Sequence, residues 1–324
     1  MTEAVESVLV TGGLGFVGSR LCTHLLERGI AVRCVDDLSA RHGVPAGAAA
    51  IPRLRALGAE VVVEDLTRSA GDRRPRRRSL LAGMDAVIHL AALPGVRTRR
   101  PIADLWDANV LLSERLLAEA AACGSRFVLA STSSVYGNPA LRPTPEGARP
   151  SPLNQYALSK LAAENAVRGA ARRRGAHAVI ARLFTVYGPG QRPEMAFARW
   201  IRALAAGDAV PWRAAPGTAR DFTYVGDAAA GLAAVMDHGR PGEAYNISGQ
   251  RSVPLDEALR LIERTMGRRA GRRDIPPSAA EAVVTWGCGR RAAAELGYVP
   301  GTDLATGIED QLAARAGLGL PAAA

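Results

Sequence analysis

Lysine is almost absent from this sequence. Lysine and arginine together account for 41 of the 324 residues, yet Lys160 is the only lysine. The preference for arginine, with abundant alanine and glycine, is typical of a GC-rich coding bias. A single retained ammonium therefore points to a position where the planar guanidinium of arginine does not serve. That position is the last residue of the segment NQYALSK (154–160).

Cysteine, histidine and long apolar runs are also scarce. The four cysteines lack CxxC spacing, which predicts free thiols in a reducing cytoplasm rather than a disulfide framework. The five histidines lack the spacing of metal ligands, so we expect no metal site. No apolar run reaches the ~18 residues of a membrane span, and the N-terminal segment MTEAVESVLVTGG does not resemble a signal peptide. We expect a cytoplasmic protein with no membrane-spanning segment.

Aromatic residues make up only 5% of the chain, which argues against nucleic-acid binding despite a basic composition. The formal net charge is +10, and the run RRPRRR (73–78) looks like a basic patch. The run lies in a predicted loop with no interleaved aromatic residues on which bases could stack. We interpret it as a solvated surface loop and expect no nucleic-acid partner. The same positive balance favours an anionic small substrate.

Short apolar runs alternate with helical patterns through the first half of the chain, which predicts βαβ units and a parallel sheet. Residues 106–122 have apolar side chains at helical spacing and are predicted to form a crossover helix. The pattern predicts an α/β fold, a Rossmann-type doubly wound parallel sheet with ligands at the carboxyl ends of its strands. The predicted strands are Val8–Val10, Ala31–Val35, Val61–Val63, Ala86–Leu90, Phe127–Ala130 and Val179–Leu183.

After about residue 185 the sequence becomes irregular and rich in proline, glycine and arginine, which predicts a smaller, loop-rich C-terminal substrate domain. We predict an NAD-binding domain of residues 1–184, to which residues 221–248 return. Residues 185–220 and 249–315 are assigned to the substrate domain, and residues 316–324 to a flexible tail.

A glycine-rich turn follows the first predicted strand, in the segment TGGLGFVGSRLCTHLLERG. Gly12, Gly15 and Gly18 allow a tight turn, close approach of a pyrophosphate and packing of the next helix on the strand. The N-terminus of that helix offers unpaired N–H groups to phosphates. Asp36 ends the second strand 18 residues beyond Gly18, at a spacing suited to binding the adenosine ribose. Its neighbour Asp37 would repel a 2′-phosphate, so the sequence predicts NAD rather than NADP.

Tyr156 and Lys160 are four residues apart and therefore lie on one face of a predicted helix. An ammonium beside the phenol lowers its pKa, which makes tyrosine usable as a base near neutral pH. The compact ammonium also suits the nicotinamide ribose. Thr132, at the end of the strand-like segment FVLAST, is placed to hydrogen-bond the hydroxyl that Tyr156 deprotonates. We predict Tyr156, Lys160 and Thr132 as the catalytic residues.

Several collinear motifs resemble the extended short-chain dehydrogenase/reductase family, which includes nucleotide-sugar epimerases and dehydratases. The resemblance spans most of the chain and implies NAD as cofactor and a nucleotide sugar as substrate. Asp65, just past the third strand, then contacts adenine or caps a helix. The motifs are TGGLGFVG, HLAA (89–92), STSSVYG, YALSK and RDFTYVGD (220–227). Further cofactor contacts are assigned to Phe16, Val17, Leu66, Leu90, Ala91 and Ala92, and Tyr156 and Lys160 are assigned to the cofactor as well.

The two residues after Thr132 decide which reaction the resemblance implies. In the 4,6-dehydratases of the family this pair is Asp-Glu, and in the UDP-glucuronate decarboxylases the second residue is Glu. Here the pair is Ser133 and Ser134, neither of which is a general acid or base of comparable strength. Elimination and decarboxylation lose their catalysts. What remains is oxidation followed by reduction, the chemistry of a 4-epimerase.

The segment LFTVYGPGQRPEMAF (183–197) resembles a motif of the UDP-glucuronate 4-epimerases. In that subfamily a threonine and an arginine of the motif help to hold the sugar carboxylate, and they correspond to Thr185 and Arg192. The resemblance implies that Ser133 and Ser134 face the same carboxylate. An arginine binds such a group through two parallel hydrogen bonds.

Two more arginines are assigned to the substrate. Arg97, in HLAALPGVR, is either a substrate contact or part of a surface ion pair. Arg220 corresponds to a family arginine that contacts the nucleotide diphosphate, and its alternative is an ion pair with the adjacent aspartate. The segment AEAVVTWGC departs from the family pattern and has Cys288 in place of an aspartate. A second phosphate-binding arginine is therefore not placed in residues 275–290, and UDP and dTDP stay open.

The favoured hypothesis is an NAD-dependent UDP-glucuronate 4-epimerase acting through a 4-keto intermediate. One alternative is a 4-epimerase of a neutral UDP-hexose such as UDP-glucose. Another is a non-catalytic NAD-binding or RNA-binding relative, against which the intact Thr132, Tyr156 and Lys160 argue. We expect a homodimer, and its candidate contacts are helix 106–122 and the helix that carries Tyr156.

Overall fold

Short strands and helices alternate along the chain. The computed structural model describes residues 4–39, 46–67, 80–96 and 100–316. In chain order the strands of this part are β1 (Ser7–Thr11), β2 (Ala31–Asp36), β3 (Glu60–Val63), β4 (Ala86–His89), β5 (Arg126–Thr132), β6 (Ala178–Leu183), β7 (Thr185–Tyr187), β8 (Val210–Trp212), β9 (Ala219–Tyr224), β10 (Ala244–Ile247), β11 (Ser252–Pro254) and β12 (Arg272–Asp274). The α-helices are α1 (Phe16–Glu27), α2 (Ala46–Ala56), α3 (Ile102–Trp106), α4 (Leu112–Cys123), α5 (Gln155–Arg174), α6 (Ala196–Ala206), α7 (Val225–His238), α8 (Leu255–Thr265), α9 (Arg290–Leu296) and α10 (Leu304–Ala316).

Seven strands form one sheet in the order β10-β6-β5-β4-β1-β2-β3. Every neighbouring pair in it is parallel, which confirms the predicted Rossmann-type fold. The six predicted apolar runs correspond to β1 through β6. The strand order changes direction between β1 and β4, and such a switch point opens a crevice at the carboxyl ends of the strands.

Both faces of the large sheet are buried, because helices cover each of them. Along β1, Val8 and Val10 join a core with residues of α1 and α7. The intervening Leu9 joins the opposite core, which includes residues of α4 and α5. This alternation is the two-residue period of a strand, and it explains why the runs read as continuously apolar.

A second body follows β6. Strands β7, β9 and β11 form a small sheet, and β8 pairs with β12. Residues of α6, α8 and α10 complete its core, in which the rings of Tyr187, Phe197 and Phe222 pack at 4.6–6.1 Å between centroids. Because β7 begins two residues after β6 ends, this body is attached at the carboxyl edge of the large sheet.

The path of the chain between the two bodies differs from the predicted boundaries. Residues 221–224 belong to β9 in the small sheet, so the return to the large sheet begins with α7 and ends with β10 beside β6. Helix α9 was assigned to the substrate domain, but Ala292 and Leu296 pack into the core that contains α1 and α7. These two apolar residues lie one helical turn apart, and that face is buried on the large sheet's side.

The predicted helix at 106–122 is part of a longer helical segment. Helices α3 and α4 are joined by a π-helical turn, Asp107–Leu111. Within that turn Asn109 is fully buried, and its side chain accepts from Leu93 N at 2.7 Å and donates to Ser159 Oγ at 3.0 Å. The amide thereby ties the helix both to α5 and to the chain that follows β4.

Some predicted features lie outside the described residues, namely the arginine run 73–78 and residues 317–324 of the expected tail. In the described part of the chain, no helix is both long and apolar enough to cross a membrane. The same residues contain no group of three side chains suited to hold a metal ion. The cysteines are free thiols; Cys123, at the end of α4, is exposed and the other three are buried.

Candidate active site

The glycine-rich turn brings β1, β4 and α1 into close contact. Gly12 has a φ of +68°, and a Cβ there would lie 2.7 Å from the backbone N of Ala91. A Cβ on Gly18 would lie 2.1 Å from the carbonyl oxygen of Gly12, so α1 packs directly on the turn. Gly15 precedes α1 and has no side chain to cap its first N–H groups. Those donors are free to bind an anion such as a pyrophosphate.

Two carboxylates follow β2 at the edge of the same cavity. Asp36 accepts hydrogen bonds from the backbone N–H of Leu14 at 3.1 Å and of Leu38 at 3.0 Å. Burial raises the pKa of Asp36, and these two hydrogen bonds act in the opposite direction. Asp37 accepts from Ser39 N at 2.9 Å, which fixes a second carboxylate beside the first. The pair suits ribose hydroxyls and disfavours a phosphate.

Asp65 stabilises a turn after β3. Its Oδ1 accepts from the backbone N–H of Thr67 at 2.9 Å and from the Thr67 hydroxyl at 2.6 Å. Asp65 thus lines the cavity and also caps a local turn. Leu66 is buried next to it, and its carbonyl oxygen accepts a hydrogen bond from Arg115.

Thr132 and Tyr156 come together although they lie on different elements. Thr132 ends β5 and caps a short 3-10 helix, Ser133–Tyr136, by accepting from Ser134 N at 3.2 Å. Asn154 caps α5 by accepting from Ala157 N at 2.8 Å, so the helix begins immediately before Tyr156. Burial raises the pKa of Tyr156, while the charge of Arg192 and a hydrogen bond with the Thr132 hydroxyl lower it.

Lys160 lies one turn along α5 from Tyr156 and is only 2% exposed. Burial lowers the pKa of Lys160 to about 8, and the Glu164 carboxylate acts in the opposite direction. Glu164 is itself bound by Arg182, with N–O distances of 2.9 and 2.7 Å. Within the described residues the ammonium has no hydrogen-bond partner, although its side chain lines the cavity. Its three donors thus suit a ligand with hydroxyl groups, such as a nicotinamide ribose.

The electrostatic partner of Tyr156 differs from the expected one. The pattern YxxxK predicts that Lys160 lowers the pKa of the phenol, but in this structure the cation that does so is Arg192. The charge of Lys160 instead acts on the buried His89, whose pKa falls to about 3, chiefly through burial. The helical spacing does place both side chains at the cavity. Only the fold decides which cation faces the phenol.

The residues assigned to the sugar carboxylate line the same cavity as this phenol. Ser133 and Ser134 follow Thr132 directly, and Thr185 is the first residue of β7. The Ser134 hydroxyl accepts from the Thr132 hydroxyl at 3.2 Å. Arg192 lies on the loop after β7, where its guanidinium pairs with the half-exposed Glu194 at 3.4 Å.

Arg220 is held against the segment that precedes α9. Its Nη1 donates to the carbonyl oxygens of Ala219 at 2.9 Å and Val283 at 3.0 Å. Its Nη2 lies 3.6 Å from the Glu281 carboxylate. The ion-pair alternative had named the adjacent Asp221, but that carboxylate is fully buried and accepts backbone N–H groups elsewhere. Arg220 remains at the cavity wall.

One cavity of about 2400 Å³ connects these groups. Every assigned site residue within the described part of the chain lines it; Arg97 lies outside the described residues. Nine arginines and Lys160 line the cavity, against six acidic residues, so its field favours anionic ligands. Its size exceeds the range typical of a single small molecule and is sufficient for a dinucleotide beside a second nucleotide.

Asn154, Gln191 and Arg213 are among the cavity residues that the sequence analysis did not assign. Asn154 could have been found, because an asparagine two residues before the tyrosine is a helix-capping signal. Gln191 accepts from Ala198 N at 3.0 Å and from Gln311 at 3.0 Å, and so supports the loop that carries Arg192. Neither this role nor that of Arg213, which also lines the cavity, has a local sequence signal.

Comparison with known proteins assigns this arrangement to a family. Residues 8–248 match the NAD dependent epimerase/dehydratase family. The chain belongs to that family. This membership confirms the resemblance inferred from the motifs, the assignment as an enzyme and NAD as the cofactor.

Relatives of this family member resemble it over nearly its whole length. The Bacillus subtilis protein YtcB, described as an uncharacterized UDP-glucose epimerase, is 35% identical and is matched over 94% of this chain and 96% of its own. The UDP-glucuronate 4-epimerase of Thermodesulfobacterium geofontis is 30% identical over 93% of both chains. The structure of the UDP-glucuronic acid 4-epimerase of Bacillus cereus, in complex with UDP-glucuronic acid and NAD, superposes with a TM-score of 0.88 at 30% identity and covers 96% of this chain and 99% of that one.

Proposed function

We propose that this enzyme catalyses the NAD-dependent 4-epimerisation of UDP-glucuronate to UDP-galacturonate through a 4-keto intermediate. The observation that carries the proposal is the surroundings of Tyr156. The hydroxyl of Thr132 and the charge of Arg192 both lower the pKa of this phenol, and Ser133 and Ser134 directly follow Thr132. A base and a cation suited to a carboxylate thus line the same cavity.

Tyr156 is the proton acceptor for the C4 hydroxyl in this proposal. The Thr132 hydroxyl, which contacts the same phenol, orients the substrate oxygen and transmits or stabilises the proton. NAD bound at this site would supply the hydride acceptor and donor for C4, and it would not be consumed because the 4-keto sugar turns its other face to the site before reduction. Lys160 holds the nicotinamide ribose with donors that no protein group in the described residues uses.

Arg192 and the hydroxyls of Ser133, Ser134 and Thr185 hold the sugar carboxylate. A guanidinium binds a carboxylate through two parallel hydrogen bonds and so fixes its plane. This matters because the 4-keto intermediate of a uronate is a β-keto acid, which tends to lose carbon dioxide. A carboxylate held near the plane of the ketone is poorly aligned for that loss. Binding of the carboxylate by these residues therefore protects the intermediate from decarboxylation.

The positions of the acidic residues in the cavity also favour oxidation and reduction of the sugar over elimination or decarboxylation. In the described part of the cavity wall they lie at the cofactor end or beside an arginine, and Thr132 is followed by two serines. A dehydratase or decarboxylase needs a carboxyl group next to the reacting carbons. The acidic residues are Asp36, Asp37, Glu64, Asp65, Glu194 and Glu281.

A neutral UDP-hexose is the second candidate substrate. It is favoured by the Arg192–Glu194 pair, because a guanidinium already paired at 3.4 Å has less need of a substrate carboxylate. The name of the Bacillus subtilis relative points the same way. Glu194 is about half exposed, however, so a substrate carboxylate competes with it at modest cost.

We also propose a division of labour between the two bodies and a homodimer in the cytoplasm. The large sheet carries the cofactor site together with Ser133 and Ser134, and the second body carries Thr185, Arg192 and Arg220 of the substrate site. Ile102, Leu111 and Leu158 are 44–51% exposed on the helices flanking the sheet, and a second copy would cover such apolar residues. Light scattering of the purified protein measures its mass in solution. The mass of two chains supports the dimer, and the mass of one chain contradicts it.

The deciding experiment incubates the enzyme with UDP-glucuronate and, separately, with UDP-glucose, and follows the sugar by proton NMR. UDP-galacturonate formed from the acid without carbon dioxide supports the proposal. Turnover of UDP-glucose alone indicates that the substrate is neutral. A pentose product contradicts the proposed binding of the sugar carboxylate. Tyr156→Phe should lower turnover about 10²- to 10⁴-fold. Tyr245→Phe is the matched control, since that hydroxyl bonds Glu295 away from the cavity.

A further inference from the structure

The diphosphate of a nucleotide sugar carries two negative charges, and Arg220 is the one arginine assigned to it by the sequence. Arg220 already lies 3.6 Å from the Glu281 carboxylate, which offsets part of its charge. The segment that packs against it, IPPSAAEAVVTWGCG (275–289), contains neither lysine nor arginine. A second cation for the diphosphate has to come from another element.

Arg213 follows β8 directly and lines the cavity. The backbone on which it lies is firmly held. Trp212 stacks on Trp200 with 5.6 Å between ring centroids, and the guanidinium of Arg272 lies 4.1 Å from the Trp212 ring centre on the neighbouring strand. The indole N–H of Trp200 also donates to Pro211 O at 3.4 Å. These contacts hold the backbone next to Arg213 in place.

The hydrogen bonds of Arg213 leave one edge of its guanidinium unused. Nη1 donates to the carbonyl oxygen of Pro276 at 2.6 Å, which anchors the side chain across the gap between β8 and the segment 275–289. Nε is buried and has no acceptor in the described part of the chain. A buried unpaired donor is unfavourable unless a ligand supplies its acceptor.

That unused edge has the geometry of a phosphate site. Nε–H and one Nη2–H of an arginine point in parallel and bind two oxygens of one phosphate or carboxylate. Because Nη1 makes the only hydrogen bond of this side chain in the described residues, the guanidinium can turn about its terminal bonds to present the edge to the cavity. No carboxylate among the described residues forms an ion pair with it.

We infer that Arg213 and Arg220 form a two-arginine clamp for the diphosphate of the substrate. Both line the cavity, and both are anchored by backbone carbonyl oxygens of one segment, Pro276 for Arg213 and Val283 for Arg220. Residues 280–282 line the cavity between these anchors. Arg213 supplies the cation that the segment itself lacks. This inference rests on the proposed function and assigns a binding residue to the same site.

The test measures ligand binding by calorimetry with the cofactor site saturated by NAD, so that added diphosphates cannot occupy it. The probes are UDP, dTDP, uridine and inorganic pyrophosphate. Arg213→Ala should weaken UDP and pyrophosphate about 10- to 100-fold, the loss typical of a hydrogen bond between charged groups. Arg213→Lys should recover part of the loss. Uridine binding should change by less than about threefold.

Arg251→Ala is the matched control, because that arginine is 73% exposed and pairs with Glu257. It should leave all four affinities unchanged. Equal melting temperatures of the variants exclude a folding defect, and Arg213→Lys keeps the charge if the alanine variant is unstable. A loss of uridine affinity equal to that of UDP would make Arg213 a base contact and overturn the clamp. Unchanged pyrophosphate and UDP affinities, or no binding of any diphosphate by the wild type, would also overturn it.

The same measurements separate this inference from the proposed function. If Arg213→Ala weakens pyrophosphate and a nucleoside diphosphate but UDP-glucuronate is not turned over, the clamp is supported and the proposed substrate is wrong. If UDP-glucuronate is epimerised while Arg213→Ala binds UDP like the wild type, the proposed function is supported and the clamp is wrong.

Discussion

Arg192 and Tyr156 are electrostatically coupled across two elements of the fold. The guanidinium lies on the loop after β7, the phenol lies in the first turn of α5, and the positive charge lowers the pKa of the phenol against the effect of burial. In the proposed reaction the same guanidinium binds the sugar carboxylate. Substrate binding and activation of the base therefore depend on one side chain.

Arg192→Gln should change both substrate preference and pH dependence. The kcat/KM for UDP-glucuronate should fall about 10- to 100-fold, and that for a neutral UDP-hexose should fall less. Removing the cation raises the pKa of Tyr156, so the rising limb of the pH–rate profile, which requires the deprotonated phenol, should move to higher pH. Steady-state rates measured from about pH 6 to about pH 10, the ordinary pKa of a tyrosine, provide the measurement. Arg260→Gln, in a surface pair with Asp256, is the control, and an unshifted limb contradicts the coupling.

Ser134→Glu should convert part of the reaction to decarboxylation. The Ser134 hydroxyl lies 3.2 Å from that of Thr132, so a carboxylate there reaches the reacting sugar and supplies a general base. Mass spectrometry of the products should detect a UDP-pentose and released carbon dioxide. Ser134→Gln has the same size without the charge and should form no pentose. Equal pentose formation by both variants would show that the effect is steric.

Lys160→Met should stabilise the protein without ligand while it abolishes turnover. Burial lowers the pKa of Lys160 to about 8 from 10.5, so the folded state binds fewer protons than the unfolded state between these values. The free energy of unfolding of the wild type should then rise with pH from about 8 to 10.5, relative to that of the variant. At pH 7 the variant should be more stable by about 1–3 kcal/mol.

Urea unfolding of the NAD-free proteins measures the difference in free energy of unfolding between variant and wild type. It is done at about pH 7 and about pH 9.5, which lie on either side of the lowered pKa of Lys160. The difference in free energy of unfolding between variant and wild type should be smaller at the higher pH. With NAD present the order should reverse, since the ammonium then has ribose hydroxyls as partners. A constant difference would mean that folding does not lower the pKa of Lys160.

Gly18→Ala should impair both folding and NAD binding. The added Cβ would lie 2.1 Å from the carbonyl oxygen of Gly12, which is backbone and cannot move without displacing the glycine-rich turn. We expect a loss of about 1–3 kcal/mol in the free energy of unfolding and weaker NAD binding. Gly147→Ala is the matched control, because a Cβ there meets nothing within 4 Å. Thermal unfolding and NAD titration check both, and an unchanged NAD affinity contradicts the close packing.

Features that depend on neighbouring residues could be predicted from the sequence. The strands β1 to β6 follow from apolar runs of a length that a parallel sheet buries on both faces. The glycine spacing 12-15-18 and the carboxylate at Asp36 belong to one βαβ unit, so local geometry relates them. The helical period alone places Tyr156 and Lys160 on one face of α5.

Features that depend on packing between distant segments were less predictable. The helix predicted at 106–122 begins earlier, at Ile102, and contains a π turn that brings Asn109 to Ser159. Helix α9 packs on the large sheet although its sequence neighbours belong to the second body. Short amphipathic helices do not reveal which surface they will cover, because several surfaces offer a comparable gain in burial.

The sequence by itself determined the fold and the family and predicted the residues of the site, because motif spacing along a chain translates directly into strands, turns and helix faces. Only the tertiary structure decided which charges meet. Arg192 acts on Tyr156 from 36 residues away in sequence, and Arg213 is anchored by Pro276 across 63 residues. Electrostatic effects depend on distance and burial in space, and neither quantity is encoded in the local pattern of residues.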